Sequence, residues 1–287
     1  TGTANTGVTE EWSFPPVTAS VVQEGQMWFN SSSSALKGYG TAAGLPGATW
    51  ASGSNINSAR SEFGGGAGTQ QAFLIFGGQP SPLIGLTESY NGSSWTEVND
   101  LNAGRYYATG FGTQTSAICA SGNPGATVNV ESWNGSNWTE TGNVNTGRWG
   151  AGSSKSSPST SGLIAGGSTG SDTGATETWN GSAWTEVADL NTARRQVGSC
   201  GDSQTAVLIM SGNPAPKVVV EQWNGTSWTE VGDVGASRYG GGGSGTTTSA
   251  LFIGGAPDSK ANELWNGTSW TEVADTAKYH DVAASGG

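Results

Sequence analysis

One histidine, His280, and two cysteines, Cys119 and Cys200, are the chain's whole stock of imidazole and thiol. Two thiols cannot make a disulfide framework, and a zinc site would need more partners than one histidine supplies. They read as buried free thiols. A Ser-His-Asp relay would have to recruit that same histidine, in an irregular part of the chain. Basic residues are scarce, 11 against 22 acidic ones for a net charge of −11, so the footprint for nucleic acid or an anionic membrane is missing. No apolar run approaches the roughly 20 residues that cross a bilayer. The first residues, TGTANTGVTE, show neither initiator methionine nor a leader pattern, so the expectation is a fragment or a chain from which a leader has been removed. No cofactor or metal is expected, and no enzymatic activity.

Glycine is abundant, with 48 residues, and points to an all-β protein with many tight turns. The phrase E-x-[WY]-N-G-x-x-W recurs from Glu88, Glu131, Glu177, Glu221 and Glu263, at intervals of 42–46 residues. Its second tryptophan (Trp95, Trp138, Trp184, Trp228) stands ten residues before an arginine (Arg105, Arg148, Arg194, Arg238), as Trp50 does before Arg60. Trp270 stands before Lys278 after a two-residue shortening. Apolar runs such as FLIFGG at 73–78, GLIAGG at 162–167 and VLIMSG at 207–212 read as buried strands. Asn-Gly between the last two segments of each unit predicts a hairpin with a type I′ turn. Each unit therefore holds four strands.

Eleven of the 13 tryptophans occupy repeat positions, leaving Trp28 and Trp149 free. A residue needed identically in every unit is a packing residue, so these indoles are expected between neighbouring sheets. The glutamates of E-x-[WY] and W-T-E are assigned to the scaffold for the same reason, which leaves no isolated carboxylate pair for glycoside hydrolysis. The Asn-x-Ser/Thr triplets at Asn91, Asn134, Asn180, Asn224 and Asn266 coincide with the hairpin turn, which accounts for them without glycans.

The joint spacing of diglycine, Trp/Tyr, Trp and Arg resembles the kelch repeat, over nearly the whole chain. Ser-Gly at 121–122 and 211–212 replaces the usual diglycine. The resemblance implies a β-propeller of six blades of four antiparallel strands, or seven if further units lie outside these residues. It also implies that the strand after the arginine is innermost, the diglycine strand second and the second-tryptophan strand outermost. Known kelch-like propellers include a copper oxidase whose metal needs two histidines, one more than this chain has. The Asp-box of sialidase propellers is absent too. Phrases such as GTQQAFLIFGG at 68–78 and GTQTSAICASG at 112–122 also resemble kelch-like tail or appendage proteins of marine bacteriophages. That implies a virion or extracellular location, contact with other virion structural proteins, and binding of a host surface glycan or protein. The alternative is a kelch adaptor that recruits a protein partner.

One propeller domain is expected over 1–287, with an insertion at 13–49 in its N-terminal blade. A hairpin at about 24–40 would carry Met27, Trp28 and Phe29, adjacent apolar groups outside the repeat that suit docking to another chain. Function is expected where the copies disagree. The residue after each arginine or lysine does so: Ser61, Tyr106, Trp149, Arg195, Tyr239 and Tyr279. In kelch domains this position lines the funnel mouth, and the loops from Gln79, Asn123, Ser168, Asn213 and Ala256 rim it. Two readings stay open, a mouth that binds a ligand by stacking and hydrogen bonding, or side chains that plug the funnel.

Overall fold

The computed structural model describes residues 27–30, 35–38, 53–63, 65–79, 85–214, 218–257 and 260–276. The chain divides into two units, Thr1–Ala48 and Thr49–Gly287. In the first, β1 (Met27–Asn30) pairs antiparallel with β2 (Ala35–Gly38), Trp28 opposite Lys37. The side chains of Met27, Trp28 and Phe29 lie outside what is described.

The second unit is an all-β propeller, with no helix among the described residues. Its sheets are β3 (Gly65–Thr69) to β6 (Trp95–Val98), β7 (Thr109–Thr113) to β10 (Trp138–Glu140), β11 (Gly152–Ser153) to β14 (Trp184–Val187), β15 (Gly198–Ser203) to β18 (Trp228–Glu230) and β19 (Gly242–Gly245) to β22 (Trp270–Val273). Each is a four-stranded antiparallel meander in chain order. The first strands of successive sheets adjoin one another, so the strand after the arginine is innermost. The described residues form five blades, not the six expected. The five contiguous copies fold with their spacing intact. A sixth would have to combine Trp12 and Trp50, 38 residues apart across the 13–49 segment, with residues after Lys278, and these lie outside the described residues.

Second strands are buried on both faces, as in β12 (Gly162–Ala165) and β16 (Ala206–Met210), because each blade packs against neighbours on both sides. Innermost strands are glycine-rich because blades crowd toward the axis. A Cβ on Gly110 would fall 2.5 Å from the Phe76 ring.

The indoles lie between blades. Trp133, Trp179, Trp223 and Trp265 are at most 2% exposed, and each apolar cluster joins two successive blades, as Phe111 and Ile118 join Trp179 and Trp184. Nitrogens are used as well as faces. First-slot indoles donate to their own blade's inner hairpin, Trp179 Nε1 to the Ser159 carbonyl at 3.0 Å. Three second-slot indoles donate to the preceding blade, Trp138 to Thr87 Oγ1 at 3.0 Å, Trp184 to the Gly142 carbonyl at 3.0 Å and Trp228 to the Ala188 carbonyl at 3.1 Å, whereas Trp270 Nε1 is buried without a partner among the described residues.

The hairpin between the two tryptophans differs from the expected type I′ turn. Trp179 pairs with Trp184 across a four-residue loop, and only its glycine has positive φ, 95° at Gly181. Asn180 keeps an ordinary φ and instead accepts from the backbone amides of Ser182 and Ala183 through Oδ1, at 3.0 and 2.9 Å. The asparagine contributes its carboxamide, not left-handed backbone.

Candidate functional site

Each arginine that opens a blade is buried against the glutamate of E-x-[WY]. The pairs are Arg60–Glu88, Arg105–Glu131, Arg148–Glu177, Arg194–Glu221 and Arg238–Glu263, with N–O distances of 2.5–2.9 Å. The carboxylate also accepts from the loop ahead of the arginine, as Glu177 does from the amides of Asn145 and Thr146 at 2.7 and 3.2 Å. Extra donors of this kind offset the desolvation that makes a buried ion pair costly. Burial lowers the pKa of Arg148 and the Glu177 charge opposes it.

One residue further on, regularity stops. Ser61, Tyr106, Trp149, Arg195 and Tyr239 each form an isolated antiparallel bridge, with Gln79, Asn123, Ser168, Asn213 and Ala256 respectively. Each bridge is a reciprocal pair of backbone hydrogen bonds, 3.0 and 2.9 Å between Trp149 and Ser168. The structure thus ties the divergent positions to the loop starts at one end of the inner strands. Tyr279 lies outside the described residues.

The next residue in every blade is left-handed: Glu62, Tyr107 and Gln196 at φ 50°, Gly150 at 68° and Gly240 at 71°. Their amides form a belt. Tyr107 donates to the Glu62 carbonyl, Gly150 to Tyr107, Gln196 to Gly150 and Gly240 to Gln196, at 2.7–3.1 Å. Non-glycine residues at positive φ carry strain of about 1–3 kcal/mol each, held by the surrounding structure. These positions also differ between blades, and sequence reading one residue upstream passed over them.

Side chains above the belt form a continuous stack over three blades. Tyr106 and Tyr107 lie 5.6 Å apart between centroids, Tyr107 and Trp149 5.4 Å apart. The Arg195 guanidinium sits 5.3 Å from the Trp149 centroid and pairs with Asp172. Asn213 Nδ2 donates to Gln196 Oε1 at 3.0 Å. The Tyr107 hydroxyl bonds with Glu62 and Gln196, and burial together with the Glu62 charge pushes its pKa up to about 12. No protein-family model matches the chain, and no curated protein matches it. The architecture stands on the sheets themselves, and the site on its geometry.

Beneath the belt lies an axial cavity of about 70 Å³ whose lining includes Tyr107, Gln196, Lys155 and the backbone of Gly66, Gly150 and Gly241. Lys155 is half-buried, and burial pushes its pKa down to about 8. Cys119 and Cys200 are buried and free. Among the described residues no cluster of His, Cys, Asp and Glu could hold a metal.

Proposed function

We propose that this propeller is a non-enzymatic binding module whose mouth, built on Ser61, Tyr106, Trp149, Arg195 and Tyr239, takes a host surface glycan. The observation that carries the reading is the convergence of the divergent positions on one end of the inner strands, around a cavity, while shared positions are consumed by packing. Aromatic faces beside amides and a paired arginine suit a polyhydroxylated ligand, which presents apolar C–H faces and hydroxyls together. The resemblance of the repeats to kelch-like phage appendage proteins supports a place on a virion surface. A glycan array probed with wild type and Trp149→Ala tests the site. The expected result is a defined glycan signal that falls at least tenfold in the variant, and a signal that survives unchanged refutes the mouth.

The β1–β2 hairpin has a separate role under this reading, docking the module to another virion protein through Met27, Trp28 and Phe29. Deletion of residues 24–40 is expected to release the module from its assembly with its thermal unfolding unaltered. Loss of the folded state on deletion refutes docking as the hairpin's role.

A further inference from the structure

We propose that the ligand is acidic, and that Lys155 holds its carboxylate in the axial cavity; this rests on the reading of the mouth as a glycan site. The first observation is positional. Gly112, Gly201 and Gly245 are the seventh residue after Arg105, Arg194 and Arg238. All three have positive φ, 124°, 147° and 109°, and Gly68 in the first blade, at 112°, matches them. Seventh after Arg148 is Lys155. The third blade alone puts a long cationic side chain where the others have none.

The local backbone makes room for it. Strand β11 ends at Ser153, two residues before Lys155, and the chain turns back on itself. Lys155 N donates to the Ser153 carbonyl at 3.0 Å and Ser157 N to the Ser154 carbonyl at 2.8 Å. Ser154 Oγ accepts from Leu163 N at 2.9 Å, so the inner hairpin stays closed although the strand is short. Lys155 lacks the positive φ of the glycine row, and the turn leaves it lining the cavity.

The second observation is charge. All six arginines of the chain are paired with a carboxylate, Arg195 included. Lys155 has no ion pair among the described residues, although the chain carries twice as many acids as bases. A half-buried cation left unpaired is costly, and a bound anion removes the cost. Its neighbours do not supply one: Asp172 is paired with Arg195, the Glu62 carboxylate is engaged by the Tyr107 hydroxyl, Asp202, next to the Gly201 whose carbonyl accepts from Ser156 N at 2.9 Å, is exposed and forms no ion pair with Lys155, and nothing but burial shifts Lys155.

Size and valence select the group. A cavity of about 70 Å³ has room for about five waters at about 10–15 Å³ each, enough for a carboxylate but not for a sugar ring. The ring would stay above, against Tyr106, Tyr107 and Trp149. One ammonium matches one carboxylate charge, whereas a phosphate dianion would bring excess charge into a protein of net −11. The fit is to a sugar acid.

Calorimetric titration of the intact chain with glucuronate, N-acetylneuraminate, glucose and inorganic phosphate, at pH 7 to 9.5, tests this. The acids are expected to bind and glucose and phosphate to bind at least tenfold more weakly. Lys155→Met, which keeps the stem and loses the charge, should weaken acid binding about 10- to 100-fold, the range of a charged hydrogen bond, and Lys155→Arg should restore part of it. Wild-type affinity should fall toward tenfold per pH unit above about 8, as the free lysine loses its proton, and Lys155→Met should show no such fall. Acids that bind no better than glucose, or equally well to Lys155→Met, overturn the inference. Should Lys155→Met fail to fold, a wild-type affinity flat across this pH range overturns it. Neutral glycans bound through Trp149 with no gain from an acid would remove the lysine's role and leave the mouth standing. Sugar binding indifferent to Trp149→Ala would remove the mouth itself.

Discussion

Arg148 and Trp149 are adjacent in the chain and opposite in use. The arginine turns between blades, is fully buried and meets Glu177 at 2.6 Å, in an arrangement that all five blades repeat. The tryptophan, pointing to the other side of an extended chain, stands at a position where the blades carry serine, tyrosine, tryptophan, arginine and tyrosine in turn. The contrast teaches that a repeat protein separates frame from variable surface at the scale of single residues. Identity across copies marks the frame, and disagreement beside it marks the surface free to vary.

The sharpest way to break the contrast is to unpair each kind of arginine. Glu177→Gln leaves Arg148 buried against a neutral group and is expected to cost about 3–5 kcal/mol, read as a large fall in thermal midpoint. Asp172→Asn does the same to Arg195, whose side chain is 31% exposed, and should cost less than about 1 kcal/mol. Equal losses would erase the distinction between frame and mouth.

A second comparison sets the glycine row against its exception. Gly112→Ala places a Cβ 2.4 Å from the Ser116 carbonyl oxygen at φ 124° and should cost at least about 1–3 kcal/mol. Lys155→Ala, with no positive φ to satisfy and an unpaired half-buried charge removed, should be no less stable than wild type in chemical denaturation at about pH 7.

The mildest test is titration. The folded pKa of Lys155, about 8, lies below the usual lysine value of about 10.4. Between those values the unfolded chain binds the proton that the folded one has released, so this residue's contribution to stability rises with pH. Below about 8 both states hold the proton and the burial penalty is in full force. Burial also raises Cys119, raises Cys200 to about 12 and raises Tyr107 to about 12. Those groups work in the opposite direction above about pH 9, where free thiols and then phenols ionise. The measurable quantity is therefore the difference between wild type and Lys155→Met, expected to move by about 2 kcal/mol in favour of wild type from pH 8 to 10.

Much of the frame was legible because repetition reports it. The interval from Glu177 to Glu221 located the blades, and Trp179 and Trp184 declared their packing role by recurring. The order of strands within a blade followed from the kelch resemblance. The divergent positions were legible by comparing copies, and the structure gathers five of them at one end of the inner strands. What escaped has physical causes. Asn180 acts through its side chain because the tryptophans pair across four residues, a register that the Asn-Gly pair alone does not reveal. The belt of left-handed residues depends on contacts between blades, which no single copy displays. Lys155 was visible as a break in a row of glycines, but comparing copies for what they share hides the one that differs. Six blades were expected from six tryptophan-to-basic spacings, yet spacing carries no assurance that strands interrupted by 38 residues assemble like contiguous ones.

Second-slot indoles of three successive blades reach back to the blade before them, Trp138 to Thr87, Trp184 to Gly142 and Trp228 to Ala188. On the ribosome this gives assembly a direction. The wall of each blade stays uncovered until about forty more residues have emerged to cap it, so the newest blade is always the sticky one. A chain halted between repeats would display an apolar flank at its growing end, and helpers that shield such flanks would be needed there rather than at the finished start.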